Sequence, residues 1–131
     1  MDPLRVRQPL ATMSPPPAPS STTPLAPYRH MVLFRFEADA SPTARADLLT
    51  AFRALVSDLS GLVLTYEEGT NVNDEGLDDG LTHIFFMTFA DAPAFQVYKV
   101  HPAHVAFVKS LAGVVAKATV LDWTAAAPTT L

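Results

Sequence analysis

Residues 82–89, Thr-His-Ile-Phe-Phe-Met-Thr-Phe, form a run too short for a stable helix and rich in aromatic residues, which reads as a β-strand. Side chains alternate along a strand, so His83, Phe85, Met87 and Phe89 share one side. Ile84 and Phe86 lie opposite, with Thr82 and Thr88. Large apolar groups therefore stand on both sides. A sheet built around such a strand has to be covered twice, and in a chain of 131 residues few architectures do that.

The rest of the chain narrows the choice. His30-Met31-Val32-Leu33-Phe34-Arg35-Phe36 reads as another strand, with His30, Val32, Phe34 and Phe36 on one face and Arg35 marking a partly wet one. Ser41-Pro42 is an N-cap followed by a first-turn proline, and it opens a helix running to about Asp58. Ala44, Leu48, Phe52, Leu55 and Val56 form its apolar stripe. Gly61 is placed as the glycine that ends it. Leu62–Tyr66 reads as a strand, Asp91 caps a short helix through Phe95 to Tyr98, and a further helical stretch ends near Gly113. Ala118–Trp123 closes the set as a strand. The order strand, helix, strand, strand, helix, strand is the split βαβ arrangement of ferredoxin-like α+β domains, a four-stranded antiparallel sheet with helices on one face. The face without helices keeps its apolar residues, which predicts a homodimer packed sheet against sheet.

Two ends are expected to stand outside this domain, which is bounded at residues 28–125. Residues 1–27 hold eight of the twelve prolines among Ser, Thr and Ala, and read as a disordered arm. Residues 126–131 read as a flexible end. A net charge of −4 gives no pull towards nucleic acid or anionic lipid, and the apolar runs are far shorter than the roughly 20 residues of a membrane span. With no cysteine, disulfides and thiolate chemistry are excluded. The expected location is the cytoplasm, with Arg5 and Arg7 leaving organelle targeting open; Met13 and Met31 are alternative starts.

Chemistry concentrates in Tyr98-Lys99-Val100-His101-Pro102-Ala103-His104. Pro102 suits the first turn of a helix, which puts His101 near the N-cap and His104 within the first turn, in phase with Val108 and Leu111. A half-buried imidazole at a helix N-terminus loses water and meets the positive end of the dipole, and both favour the neutral form that accepts a proton. The competing reading is a hydrogen-bonded core histidine. Metal ligation by His101 and His104 is weaker, since a neutral base and a phenol explain the same residues without an ion. Asn71, Asn73, Glu75 and Gly76 are spaced like the start of a calcium loop, but Thr82 stands where a bidentate Glu is required, so no such site is expected. Residues 71–80 read instead as a solvated acidic turn.

Five segments together resemble the stress-responsive α/β-barrel domain family, often called Dabb: His30–Phe36, Gly80–His83, Met87–Asp91, Tyr98–Phe107 and Val120–Trp123. The resemblance implies a ferredoxin-like protomer whose dimer forms an α+β barrel. It also implies likeness to a plant polyketide cyclase that closes an aromatic ring by intramolecular aldol condensation without a cofactor. The catalytic tyrosine and histidine of that enzyme match Tyr98 and His104, and its pocket histidines match His30 and His83. Phe52 and Phe85 depart from it on the pocket side, so a different acyl group is expected in a substrate-binding set of His30, His83, Phe85 and Phe52. The alternative function is a non-catalytic dimeric barrel that binds an apolar ligand or a protein partner. A monooxygenase of the related dimeric-barrel superfamily is a weaker third, because the His-Pro-x-His element points to the stress-responsive branch.

Overall fold

The structure is a computed structural model, and it describes residues 26–124; the expectations for the Pro-rich arm before that and for the C-terminal end at 126–131 lie outside the described residues. The elements in chain order are β1 (Tyr28–Phe36), α1 (Pro42–Asp58), β2 (Val63–Thr70), β3 (His83–Phe89), α2 (Ala92–Val100), α3 (Pro102–Lys109) and β4 (Val115–Thr124). The four strands form one antiparallel sheet in the order β2-β3-β1-β4. This is the ferredoxin-like α+β fold.

Local chemistry sets each boundary. The Ser41 hydroxyl accepts from the Ala44 N–H at 3.0 Å and the Asp91 carboxylate accepts from the Ala94 N–H at 2.9 Å, each opening a helix with a proline in its first turn. Gly61 does not play its expected part. α1 ends when the N–H groups of Leu59, Leu62 and Val63 bond to carbonyls of Leu55 and Leu59, and the left-handed glycines are Gly76, Gly80 and Gly113. Gly113, with φ of 79°, turns the chain out of the segment after α3 and into β4. The acidic loop folds on its own side chains. The Asn71 and Asn73 carbonyls accept from the N–H groups of Asn73 and Glu75, while Arg35 and Lys117 tie Asp79 to the sheet.

Strand alternation then sorts the two faces. His30, Val32, Phe34 and Phe36 of β1 are all buried beneath the helices. They meet Phe85, Met87 and Phe89 of β3, and Leu48, Phe52 and Leu55 of α1. Phe52 stacks on Phe85 with ring centroids 4.3 Å apart, and Phe34 packs 5.1 Å from Phe85. The opposite face carries Met31, Leu33, Ile84, Phe86, Leu121 and Trp123, and Phe86 and Trp123 stack across β1 at 5.7 Å. Among the described residues no helix covers it, and Leu121 and Trp123 are 55% and 42% exposed.

Phe34 is 1% exposed and packs against Phe36, Phe52 and Phe85 in the aromatic cluster. Phe34→Ala is expected to cost about 3–5 kcal/mol of stability, measured as a lowered urea midpoint; a cost below about 1 kcal/mol would mean that the cluster is not packed as described.

Candidate active site

Between the inner face of β1 and β4 and the helices α2 and α3 lies a cavity of about 460 Å³, the size of a small-molecule site. α3 has no fully buried residue, because its inward side borders this space instead of packing on the sheet. One end is polar, formed by Tyr28, His30, Tyr98, His104 and Asp122; Val32, Phe34, Phe52, Phe107 and Leu111 make much of the rest apolar.

The Tyr98–His104 pair is built by the junction of α2 and α3. His101 is both the last cap of α2 and the first of α3: its N–H bonds to the Tyr98 carbonyl at 3.1 Å and its Nδ1 accepts from the Ala103 N–H at 3.0 Å. This is the N-cap position read from the sequence. The turn brings the Tyr98 and His104 rings to 4.6 Å between centroids. It also brings the Lys99 carbonyl within 2.9 Å of His104 Nδ1. A carbonyl only accepts, so Nδ1 carries the hydrogen and Nε2 keeps its lone pair. Desolvation holds the His104 imidazole below its ordinary range, helped by the nearby His30 ring and opposed by the bond to Lys99. Tyr98 is 1% exposed, has no hydrogen-bond partner for its hydroxyl among the described residues, and is pushed upwards by burial, so it stays a phenol.

The other expected residues divide. His30 and Phe52 line the cavity. Phe85 does not; it lies one layer behind, under the Phe52 ring. His83 also lies away from the cavity, edge-on to Phe36 at 4.9 Å with its Nδ1 2.8 Å from the Thr82 hydroxyl. Burial and the Arg45 charge lower its pKa, with Glu68 acting against them. Two polar residues had no role assigned from the sequence. Asp122 binds His30 Nδ1 at 2.6 Å and accepts from the Tyr28 hydroxyl at 2.7 Å. The one signal was a carboxylate inside an apolar strand, and it takes the β1–β4 register, which pairs His30 with Asp122, to give it meaning. Among the described residues no group of three or more His, Cys, Asp or Glu is arranged to hold a metal ion. Nor is any described helix long and apolar enough to cross a membrane.

Comparison with known proteins gives this arrangement a family. The profile of the Stress responsive A/B Barrel Domain, Dabb, matches residues 28–125. The chain belongs to this family. Among its relatives is the stress-response A/B barrel domain-containing protein HS1 of Arabidopsis thaliana, 33% identical over 97 residues, which are 74% of this chain and 88% of that one. Olivetolic acid cyclase of Cannabis sativa is 27% identical over 79 residues, 60% of this chain and 77% of the relative. A solved dimeric ferredoxin-like protein of unknown function from Thermobifida fusca shares the fold, with a TM-score of 0.62 at 24% identity, covering 77% of this chain and 92% of that one. As a Dabb domain, the chain carries its His-Pro-Ala-His element at the break between α2 and α3.

His83 and His104 both resist protonation in the folded chain, whereas the unfolded chain takes up protons from about pH 6.5 downwards. The unfolded state then binds more protons, so stability is full above that pH and declines as pH falls through it. Urea midpoints at about pH 7.5 and about pH 5.5 should therefore differ, and His104→Gln should narrow the difference. An unchanged difference in that variant would remove His104 from the account.

Proposed function

We propose that this Dabb protein is a cofactor-independent lyase of the cyclase type, closing a ring in a β-polyketone by intramolecular aldol condensation. The single observation that carries the reading is the Tyr98–His104 pair: two rings 4.6 Å apart on one cavity wall, with His104 Nδ1 engaged by a backbone carbonyl and Nε2 without a partner among the described residues. A methylene between two carbonyls is acidic enough for a neutral imidazole, so His104 acts as general base. The enolate attacks a distant carbonyl of the same chain, and the Tyr98 hydroxyl, buried and without another partner among the described residues, donates to the oxygen on which charge develops. Phe52 and His30 contact the folded substrate and Phe85 backs the Phe52 ring, while His83 stands beyond the cavity against Phe36. Likeness to olivetolic acid cyclase supports the reaction class. The Phe52–Phe85 stack in the apolar wall argues for an acyl group of this chain's own.

A barrel filled solid by Phe34, Phe85, Met87 and Phe89 would have supported the non-catalytic alternative. These four side chains are fully buried, yet the open space lies beside them and reaches Tyr98 and His104. Assembly belongs to the same proposal. The uncovered sheet face with Met31, Leu33, Phe86, Leu121 and Trp123 takes a second copy of itself, back to back with the catalytic side.

His104→Ala is expected to lower turnover of polyketide thioesters by about 10²–10⁴-fold and Tyr98→Phe by about 10²-fold, with the dimer retained in both because the cavity is on the opposite face. In the wild type, kcat/KM should fall as the pH drops below about 6.5, where His104 protonates. Undiminished turnover in His104→Ala would sink the general-base assignment. Leu121→Glu should give a monomer by sedimentation; a persistent dimer would place the interface elsewhere.

A further inference from the structure

The polar end of the cavity holds a second imidazole whose surroundings are unlike those of His104. His30 is 6% exposed, with its ring 6.2 Å from that of Tyr98 and 4.8 Å from that of Phe95. Asp122 stands directly opposite it on β4, so both side chains leave the same face of the sheet. The carboxylate uses both oxygens: Oδ1 lies 2.6 Å from His30 Nδ1, and Oδ2 accepts from the Tyr28 hydroxyl at 2.7 Å. Tyr28 is fixed in turn by stacking on Phe95, with centroids 4.4 Å apart and planes 14° from parallel. Burial and Asp122 push its phenol up to about 12, so it remains a donor.

An ionised carboxylate only accepts, so His30 Nδ1 carries a hydrogen and Nε2 is the nitrogen left for the cavity. Both imidazoles therefore have Nδ1 occupied and Nε2 available. The difference lies in what stands behind them. His104 is backed by a neutral carbonyl, whereas His30 is backed by a full negative charge that gives an imidazolium its counter-ion. Two titratable groups in one cavity with opposed environments divide the work of acid and base.

We infer that His30 is the general acid of this cavity, and that Asp122, itself held by Tyr28, is the positioning residue that keeps it in that role. The inference rests on the aldol reading above. His104 Nε2 takes the proton of the activated methylene, and the electron pair left on carbon forms the new C–C bond. The π pair of the attacked carbonyl moves to its oxygen. The Nε2–H of imidazolium His30 protonates that alkoxide, with Tyr98 donating to the same oxygen. His104 then carries the proton that His30 has lost, and exchange between them restores the starting state with no net proton consumed; the β-hydroxyketone loses its hydroxyl and an α-hydrogen as water to complete the condensation.

The test compares wild type, Asp122→Asn and Tyr28→Phe; the last keeps the ring on Phe95 and removes only the hydroxyl. In the ligand-free protein, NMR should find a strongly downfield His30 Nδ1 proton that moves upfield or vanishes in Asp122→Asn and persists in Tyr28→Phe. The oxyanion probe 4-nitrophenolate should bind Asp122→Asn about tenfold more weakly than wild type. With a turned-over thioester, kcat should fall by at least about tenfold in Asp122→Asn with KM little changed, and by less in Tyr28→Phe. A downfield proton insensitive to Asp122→Asn, or equal probe binding and equal kcat, overturns the inference. If wild type turns over no polyketide thioester while the NMR signature and the probe respond as expected, the aldol reading falls and the assignment of His30 as a proton donor to oxyanions stands.

Discussion

Pro102 has no N–H to give, so the helical run that begins at Ala92 has to break at His101-Pro102. Everything at the polar end of the cavity follows from how that break is repaired. His101 closes one helix with its backbone and opens the next with its imidazole. The change of direction leaves the Lys99 carbonyl outside regular helical bonding, where it meets His104 Nδ1. A continuous helix would have held that carbonyl in its own ladder and left the His104 tautomer unspecified. The same break keeps α3 off the sheet, and the resulting gap is the cavity.

The two helical layers differ for that reason. α1 packs Leu48, Phe52, Leu55 and Val56 onto the sheet and carries the core, whereas α3 buries no residue completely. Stability and chemistry are thereby assigned to different helices. The apolar weight of Phe34, Phe85, Met87 and Phe89 sits beside α1, and the proton-handling groups sit under the lighter roof of α2 and α3. Tyr98 joins the two regions: its ring packs against Phe89 at 5.0 Å, and its hydroxyl has no partner among the described residues. An unpaired buried hydroxyl costs stability, an expense commonly borne by groups reserved for a ligand.

Much of the fold was legible in the residues because each boundary rests on short-range chemistry. Ser41 and Asp91 announced their helices by capping, and alternation in β1 and β3 sorted inner from outer face residue by residue. Gly61 misled because a glycine after a helix is a common stop, yet here the backbone bonds to Leu59 were sufficient. Tyr98 and His104 stood out because they lie close in sequence. His83 and Phe85 share the inner face as expected, but one lies beyond the cavity against Phe36 and the other beneath Phe52. Alternation tells which face a side chain leaves, not how far along that face the empty space extends.

The set of elements, the capped break before Pro102 and the two-sided apolar sheet were thus readable from the residues alone, since these follow from backbone geometry and the period of side chains. The tertiary structure decided which side chains share the cavity. Asp122 lies 92 positions from His30, and only the antiparallel register of β4 on β1 sets the carboxylate against the imidazole. Phe52 reached the cavity, and Phe85 stopped behind it, through the stacking of α1 on β3. Contacts of that kind depend on how far one element slides along another, a quantity set by packing the whole core at once and carried by no local run of residues.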